Sequence, residues 1–236
     1  MFKRVQEREA GLHRPAVLSR TVQDDQWGKV AISAREVDSP HVRPVTCLDV
    51  DPTECRYLLV GSADSNVSIF DLADPVGVRA KDHRLEPIVA EHPPREGHAY
   101  AVNCVQWYPF DTGLFISGGM DGKVLLWDTN TLQVAQTLEV GQGVHAVHMS
   151  SRAQAHQLIA CASDSRDVRL CDPRSGATSH VLFGHRDAVW SVRWSPASEF
   201  ALASGSVDGT VRVWDVRRAG HLAVLDQHND LEARLR

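Results

Sequence analysis

Apolar and polar residues alternate with a period of two along several short stretches of this chain. Val102-Asn103-Cys104-Val105-Gln106-Trp107 and Val189-Trp190-Ser191-Val192-Arg193-Trp194 both do so, the pattern of a strand with one buried face. Each stretch runs on to a proline, Pro109 or Pro196, and then to Leu114-Phe115-Ile116-Ser117 or Ala201-Leu202-Ala203-Ser204. The dipeptides Asp121-Gly122 and Asp208-Gly209 follow. Asp-Gly between apolar runs predicts a hairpin, because the turn needs positive φ. Further strands are expected over 134–138, 178–182 and 222–225. The pattern is that of an all-β protein.

The strands recur as a unit. Val67-Ser68-Ile69-Phe70-Asp71, Val124-Leu125-Leu126-Trp127-Asp128, Val168-Arg169-Leu170-Cys171-Asp172 and Val211-Arg212-Val213-Trp214-Asp215 end alike, with steps of 57, 44 and 43 residues between the fourth positions. The last two steps match the ~40–45-residue period of a four-stranded propeller blade. The internal spacing repeats as well. From His98 it is 9 residues to Trp107, 23 to Asp121 and 29 to Trp127, and the same intervals run from His185 to Trp194, Asp208 and Trp214. From His41 they lead to Val50, Asp64 and Phe70. The longer first step reads as a loop insertion over roughly 72–97. The third unit departs most: it has no Gly-His pair, Cys171 stands for Trp, and its turn at Asp164 to Asp167 looks one residue longer. The first has Phe70 for Trp. Both are expected to be held mainly by apolar packing.

The first forty residues differ. Phe2, Val5, Leu12, Val17 and Leu18 lie among many charges, and Pro15 interrupts them. This predicts two short helices around 11–15, in an N-terminal helical segment over 1–26 ahead of a strand-rich domain over 27–236. Residues 27–32 read as a first strand. The apolar side of the helical pair suits a groove on a partner.

Composition narrows the function. The net charge of −5 argues against a broad electrostatic grip on nucleic acid. No apolar run approaches the ~18 residues of a membrane span, and 1–10 is too charged for a signal peptide. Five cysteines, Cys47, Cys55, Cys104, Cys161 and Cys171, include no CxxC pair, so neither a zinc site nor a disulfide framework is expected. His83, His92 and His98 are too irregularly spaced for a metal site. No cofactor is expected.

Gly97-His98, Gly184-His185, the Asp turns and the Trp-Asp ends resemble the WD40-repeat family over roughly 41–230. Longer strings carry a narrower resemblance. Gln106 to Gly113, Trp127 to Gln133, Val213 to Ala219 and Leu225 to Asn229 are similar to the Cockayne syndrome A family, as are Arg8 to Leu12 with Pro15. The wider resemblance implies a propeller whose blades each hold a hydrogen-bonded set of His, Asp, Ser or Thr, and Trp. That set falls on His41, Asp64 and Phe70, on His98, Asp121 and Trp127, and on His185, Asp208 and Trp214, with Ser117 and either Ser204 or Ser206 as hydroxyls. Ser, His and Asp together invite comparison with a hydrolase triad. Repetition blade by blade belongs instead to a stacking unit, and no catalytic residue is expected. The resembled family builds seven blades. Four units are present here, so the expectation is an incomplete propeller of about four blades, with two open edges and poor stability on its own.

The narrower resemblance implies the substrate receptor of a cullin-4 RING ubiquitin ligase, acting in transcription-coupled nucleotide excision repair in the nucleus. Its implied partners are the adaptor, damaged-DNA-binding protein 1, and the protein substrates of that repair, without direct nucleic acid or membrane contact. Adaptor docking would fall on Phe2, Val5, Leu12, Pro15 and Leu18, and on the WDxR box Trp214-Asp215-Val216-Arg217, with Arg174 in a partial second copy. The alternative is a generic WD40 interaction scaffold in another nuclear complex, or a non-functional truncated form.

Overall fold

In the computed structural model, the described residues are 36–37, 40–72, 84–85, 97–218 and 220–226, with the backbone alone described at 36–37 and 84–85. The N-terminal helical segment and the strand expected over 27–32 lie outside them. Among the described residues there are strands and no helix.

β1 (Glu36–Val37) precedes a three-stranded antiparallel sheet, blade 1, made of β2 (Val45–Val50), β3 (Tyr57–Ser62) and β4 (Val67–Asp71). β5 (Arg84–Leu85), inside the expected insertion, pairs in parallel with β1. Blade 2 comprises β6 (Val102–Trp107), β7 (Leu114–Gly119), β8 (Lys123–Asp128) and β9 (Gln133–Glu139). Blade 3 comprises β10 (Val144–Met149), β11 (Ile159–Ser163), β12 (Val168–Asp172) and β13 (Ala177–Leu182). Blade 4 comprises β14 (Val189–Trp194), β15 (Ala201–Ser206), β16 (Val211–Asp215) and β17 (His221–Leu225). Within each blade sequential strands pair antiparallel. The Asp-Gly hairpins form as expected: Gly122 and Gly209 have φ of 75° and 78°, a region costly for residues with a Cβ.

The blades stack face to face through their first strands, β2 on β6, β6 on β10 and β10 on β14. A repeated packing rule explains why. Gly61 and Gly118 hold the same place in β3 and β7. A methyl group at Gly61 would stand 2.9 Å from Val102 and 3.1 Å from Val105, and one at Gly118 would stand 2.8 Å from Val144 and 3.2 Å from Val147. Glycine there lets two valines of the next first strand press against the sheet. Between blades 3 and 4 the same place is the small Ala162, which packs in one core with Val189 and Val192. Large side chains fill the rest, Trp107, Trp127, Trp214, Phe70 and Phe115 being almost fully buried.

Each first strand also carries a β-bulge at one position, shown by the register shifts at Val45/Cys47, Val102/Cys104, Val144/Ala146 and Val189/Ser191. A bulge re-aims the extra residue. In blade 1 that residue is Thr46, whose hydroxyl donates to the carbonyl of Val102, and in blade 2 it is Asn103, whose amide donates to the carbonyl of Val144 at 2.9 Å. A second bond recurs three residues on. Asp49 accepts from the backbone N–H of Trp107 at 2.8 Å, Gln106 from that of Met149 at 2.6 Å, and His148 from that of Trp194 at 3.1 Å.

Candidate functional site

The repeated His–Asp–Ser–Trp set is assembled in blades 2 and 4. Hydrogen bonds link Trp127 Nε1 to Ser117 Oγ at 2.7 Å, Ser117 to His98 Nε2 at 2.8 Å and His98 Nδ1 to Asp121 at 3.0 Å. The indole N–H donates, so the hydroxyl turns its own proton to Nε2, and Nδ1–H is left for the carboxylate. Blade 4 repeats the relay through Trp214, Ser204, His185 and Asp208 at 2.8, 2.7 and 3.1 Å. The hydroxyl is Ser204 and not Ser206, which instead donates to the carbonyl of Asp187.

Burial alone would raise the Asp208 carboxyl. The N–H of Arg186, the side chain and N–H of Thr210, and His185 outweigh burial and hold the group far below its ordinary range. Asp121 is held down in the same way by His98 and the N–H groups of Ala99 and Lys123 against the pull of burial. A carboxylate so saturated is a structural anchor. Its histidine has no free nitrogen for a substrate.

Blade 3 follows the expected apolar packing, and blade 1 departs from it. Blade 1 keeps a polar network: His41 Nδ1 lies 3.2 Å from Asp64, and Nε2 lies 3.0 Å from Ser68. The hydroxyl comes from β4, because Val60 occupies the place of Ser117 and leaves the histidine facing the neighbouring strand. Sequence reasoning does not single out Ser68, although a lone hydroxyl inside the apolar run 67–70, buried throughout, is a readable signal. Blade 3 has lost the set entirely. Counted from the first valine of β10, Val140 stands where the histidine should be, and Cys161 and Cys171 stand for Ser and Trp. All three sit in one apolar core, with Cys161 Sγ 4.0 Å from Cys171 Sγ. The Cys161 thiol is pushed up, first by that bond and then by burial. The turn is not longer, as expected from the sequence, but of the usual length. Ser165 takes the place of the turn aspartate and accepts from the N–H of Asp167 at 3.2 Å. The added length lies instead in the loop between β10 and β11.

The WDxR box lies on the opposite rim, where blades 3 and 4 meet. Asp215 accepts from the Arg217 N–H at 3.0 Å, from its Nε at 3.0 Å and from its Nη2 at 2.7 Å. These bonds, the arginine's own first, hold the Asp215 carboxyl down to about 2. The guanidinium lies 4.5 Å above the Phe200 ring. Its side chain is still 59% exposed. Arg217 is thus a pre-positioned cation: one edge is bonded to Asp215, one face lies on Phe200, and the remainder is exposed. Arg174 takes the same place after Asp172, its N–H bonded to that carboxylate at 2.9 Å and its Nε to Gln157 at 3.3 Å. Around them Glu199 accepts from the N–H groups of Gln154 and Ala155 at 2.9 and 3.2 Å, and His156 packs on Trp194 and Phe200 at 4.9 and 5.9 Å. Blade 1 neutralises the corresponding Asp71 from a different residue, Arg56. The five N-terminal positions expected to dock the adaptor, Phe2, Val5, Leu12, Pro15 and Leu18, lie outside the described residues. No group of His, Cys, Asp and Glu among the described residues could hold a metal ion.

Comparison with known proteins agrees with this architecture. The WD40 family, described as WD domain, G-beta repeat, matches residues 35–71, 92–128 and 176–215. The unmatched stretch between the last two holds most of blade 3, whose polar set is replaced. The chain is 41% identical over 236 residues to WD repeat-containing protein ATCSA-1 of Arabidopsis thaliana, covering 96% of this chain and 51% of that protein. It is 35% identical over 139 residues to the Ribosome biogenesis protein WDR12 homolog of Chlamydomonas reinhardtii, covering 57% of this chain and 30% of that protein. Ribosome biogenesis protein YTM1 of Phaeosphaeria nodorum is 35% identical over 124 residues, covering 51% of this chain and 26% of its own. The chain spans about half the length of the first relative and less of the others.

Proposed function

We propose that this chain, which carries WD40 repeats, is a non-catalytic protein-interaction scaffold of a nuclear assembly. One observation carries the reading. The histidines of the repeated set spend both ring nitrogens within their own blade, while the cation at Arg217 is fixed in place and still exposed. The first arrangement stabilises a blade, and the second prepares a surface. A planar guanidinium seated on an aromatic ring loses little freedom on binding, and it can cover apolar surface or meet a carboxylate.

Which assembly it serves divides into two readings. Relatives named for ribosome biogenesis support a scaffold in that process. The resemblance at Trp214-Asp215-Val216-Arg217 and along 106–113 supports the substrate receptor of a cullin-4 RING ligase in transcription-coupled repair. There the partners are the adaptor damaged-DNA-binding protein 1 and the repair substrates. In that reading Arg217, Arg174 and the N-terminal residues 1–21 form the docking surface.

Affinity purification of the chain from nuclei, followed by mass spectrometry, separates them. Recovery of cullin-4 with its adaptor, lost on Arg217→Ala or on deletion of 1–21, supports the ligase reading. Recovery of ribosome-assembly proteins supports the other. Undiminished adaptor after both changes removes the proposed docking surface.

A further inference from the structure

The extended loop of blade 3, between β10 and β11, lies across the joint with blade 4. Glu199 of blade 4 holds it there. One carboxylate oxygen accepts from the N–H groups of both Gln154 and Ala155, and the Glu199 carbonyl accepts from His156 Nε2 at 2.8 Å. Those two N–H groups, ahead of any other cause, hold the Glu199 carboxyl below its ordinary range. His156 is fixed from its other side as well, since Nδ1 accepts from the Leu158 N–H at 3.3 Å. Gln157 is thus set between anchored neighbours. Both blades of this joint are in place, so nothing in it depends on an uncovered sheet face.

Gln157 and Phe200 occupy the same place in their blades. Ile159 pairs with Cys171, and Leu202 with Trp214; Gln157 and Phe200 each lie two residues ahead of that pair. Each seats an arginine that follows the third strand. Phe200 lies under Arg217, and Gln157 Oε1 accepts from Arg174 Nε at 3.3 Å. Gln157 Nε2 donates to the Tyr108 hydroxyl at 2.9 Å, which fixes the end of the amide that faces the arginine. The two seats differ in one respect. Arg217 has a carboxylate of its own in Asp215. Asp172 meets only the backbone N–H of Arg174, and among the described residues no carboxylate pairs with the Arg174 guanidinium.

Resting on the reading of this rim as a docking surface, we propose that Arg174 takes a carboxylate presented by the partner, and that Glu199 is a positioning residue for Arg174. The chemistry follows from what each cation lacks. A guanidinium carries more donors than Gln157 uses, and its free edge fits the two oxygens of a carboxylate. Arg217, whose charge Asp215 already meets, contributes contact area instead. By pinning the loop from blade 4, Glu199 sets where Arg174 stands relative to Arg217 across the blade boundary. The side chain is then ordered before the partner arrives, and binding loses less freedom.

The test is titration calorimetry of the full chain with the purified adaptor, damaged-DNA-binding protein 1, joined to a measurement that needs no partner. Glu199→Ala should weaken binding about two- to tenfold, the ordering of one side chain. Arg174→Ala should weaken it at least as much, and the double variant no more than Arg174→Ala alone. Glu199→Gln, whose carbonyl oxygen can accept both N–H groups, should bind as the unaltered chain does. Added salt should weaken the unaltered chain more than Arg174→Ala. Without partner, the Arg174 Nε–H resonance should lose its protection from exchange with water in Glu199→Ala and keep it in Glu199→Gln, with the Arg217 Nε–H unchanged in both. Losses that multiply in the double variant, or an Arg174 resonance indifferent to Glu199→Ala, would overturn the positioning role. Binding that needs Arg217 but not Arg174 would overturn the carboxylate site. An adaptor indifferent to both arginines would overturn the docking reading and the carboxylate site with it, and the resonance then decides the positioning role by itself.

Discussion

The hydroxyl of Ser117 holds two buried groups at once, receiving the Trp127 indole N–H and giving its proton to His98. Ser117→Ala removes both bonds and leaves two buried polar atoms without partners, at a cost of about 1–3 kcal/mol. The melting temperature should fall by about 2–4 °C per kcal/mol for a domain of this size, and a melt within about 1 °C of the unaltered chain, half of the smallest shift expected, would contradict the relay. The converse holds in blade 3. There Cys161→Ser places a hydroxyl beside Cys171 and Val140 with no relay to join, and it should lower the melt as well. A polar set works as a unit, and half of one is worse than none.

His148 makes a pH-dependent contribution. Burial first, and the nearby Arg193 charge second, depress it to about 4, against an ordinary value of about 6.5. Between those values the unfolded chain binds a proton that the folded chain refuses, so stability falls as the pH drops through that window. His185, also held down by burial, acts in the same direction. The carboxyls of Asp121 and Asp208 are held low, so their contribution is present above about pH 4 and is lost only below it. The range from about pH 6.5 down to 5 therefore leaves those two carboxylates out, and comparison with a His148 variant separates this histidine from the other groups that titrate there. His148→Gln keeps an acceptor for the Trp194 N–H, as Gln106 does for Met149. Its melting temperature should decline less over that range, and a decline as steep as the unaltered chain's would count against His148.

At the scale of elements, stacking depends on close approach more than on strand propensity. Gly118→Ala puts a methyl group 2.7–2.8 Å from Cys104 and Val144, so blades 2 and 3 must move apart or repack. The expected cost is about 1–3 kcal/mol, read as a lower denaturation midpoint, and an unchanged midpoint would show that the joint yields freely. The strands themselves were legible in advance, from β6 with its alternation to the hairpins at Gly122 and Gly209. Period-two patterning reports one buried face, and that face is set locally. The bulges were not legible. Their positions show only when a strand is laid against its neighbour, and the residues they re-aim, Thr46 and Asn103, look unremarkable in sequence. The third repeat misled for a related reason. Its missing histidine disturbed the alignment, which was read as a longer turn, whereas pairing of β11 with β12 puts Ser165 in the aspartate's place.

For the molecule as a whole, the Arg217 rim is fixed within one blade. The bonds that Arg217 donates to Asp215 and its stacking on Phe200, both in blade 4, hold the cation without help from the joints between blades. Gly118→Ala, which disturbs the joint of blades 2 and 3, should therefore leave recovery of partners bound through Arg217 unchanged in the affinity purification, whereas Arg217→Ala should reduce it. An equal loss in both variants would tie the rim to the stack as a whole.

The sequence alone determined the repeat and its contents: four strand units, the 9–23–29 spacing in three of them, the His–Asp pairs and the exposed WDxR arginine. These are local or periodic properties, carried by residue type and interval. The tertiary structure decided which groups complete each set: Ser68 rather than a β3 hydroxyl in blade 1, Ser204 rather than Ser206 in blade 4, and an apolar replacement in blade 3. It also decided that Arg217 is committed first to Asp215 and Phe200, and Arg174 to Gln157. The reason is that a hydrogen bond or a buried contact belongs to two residues, and the second is identified only when strands and blades are set beside one another.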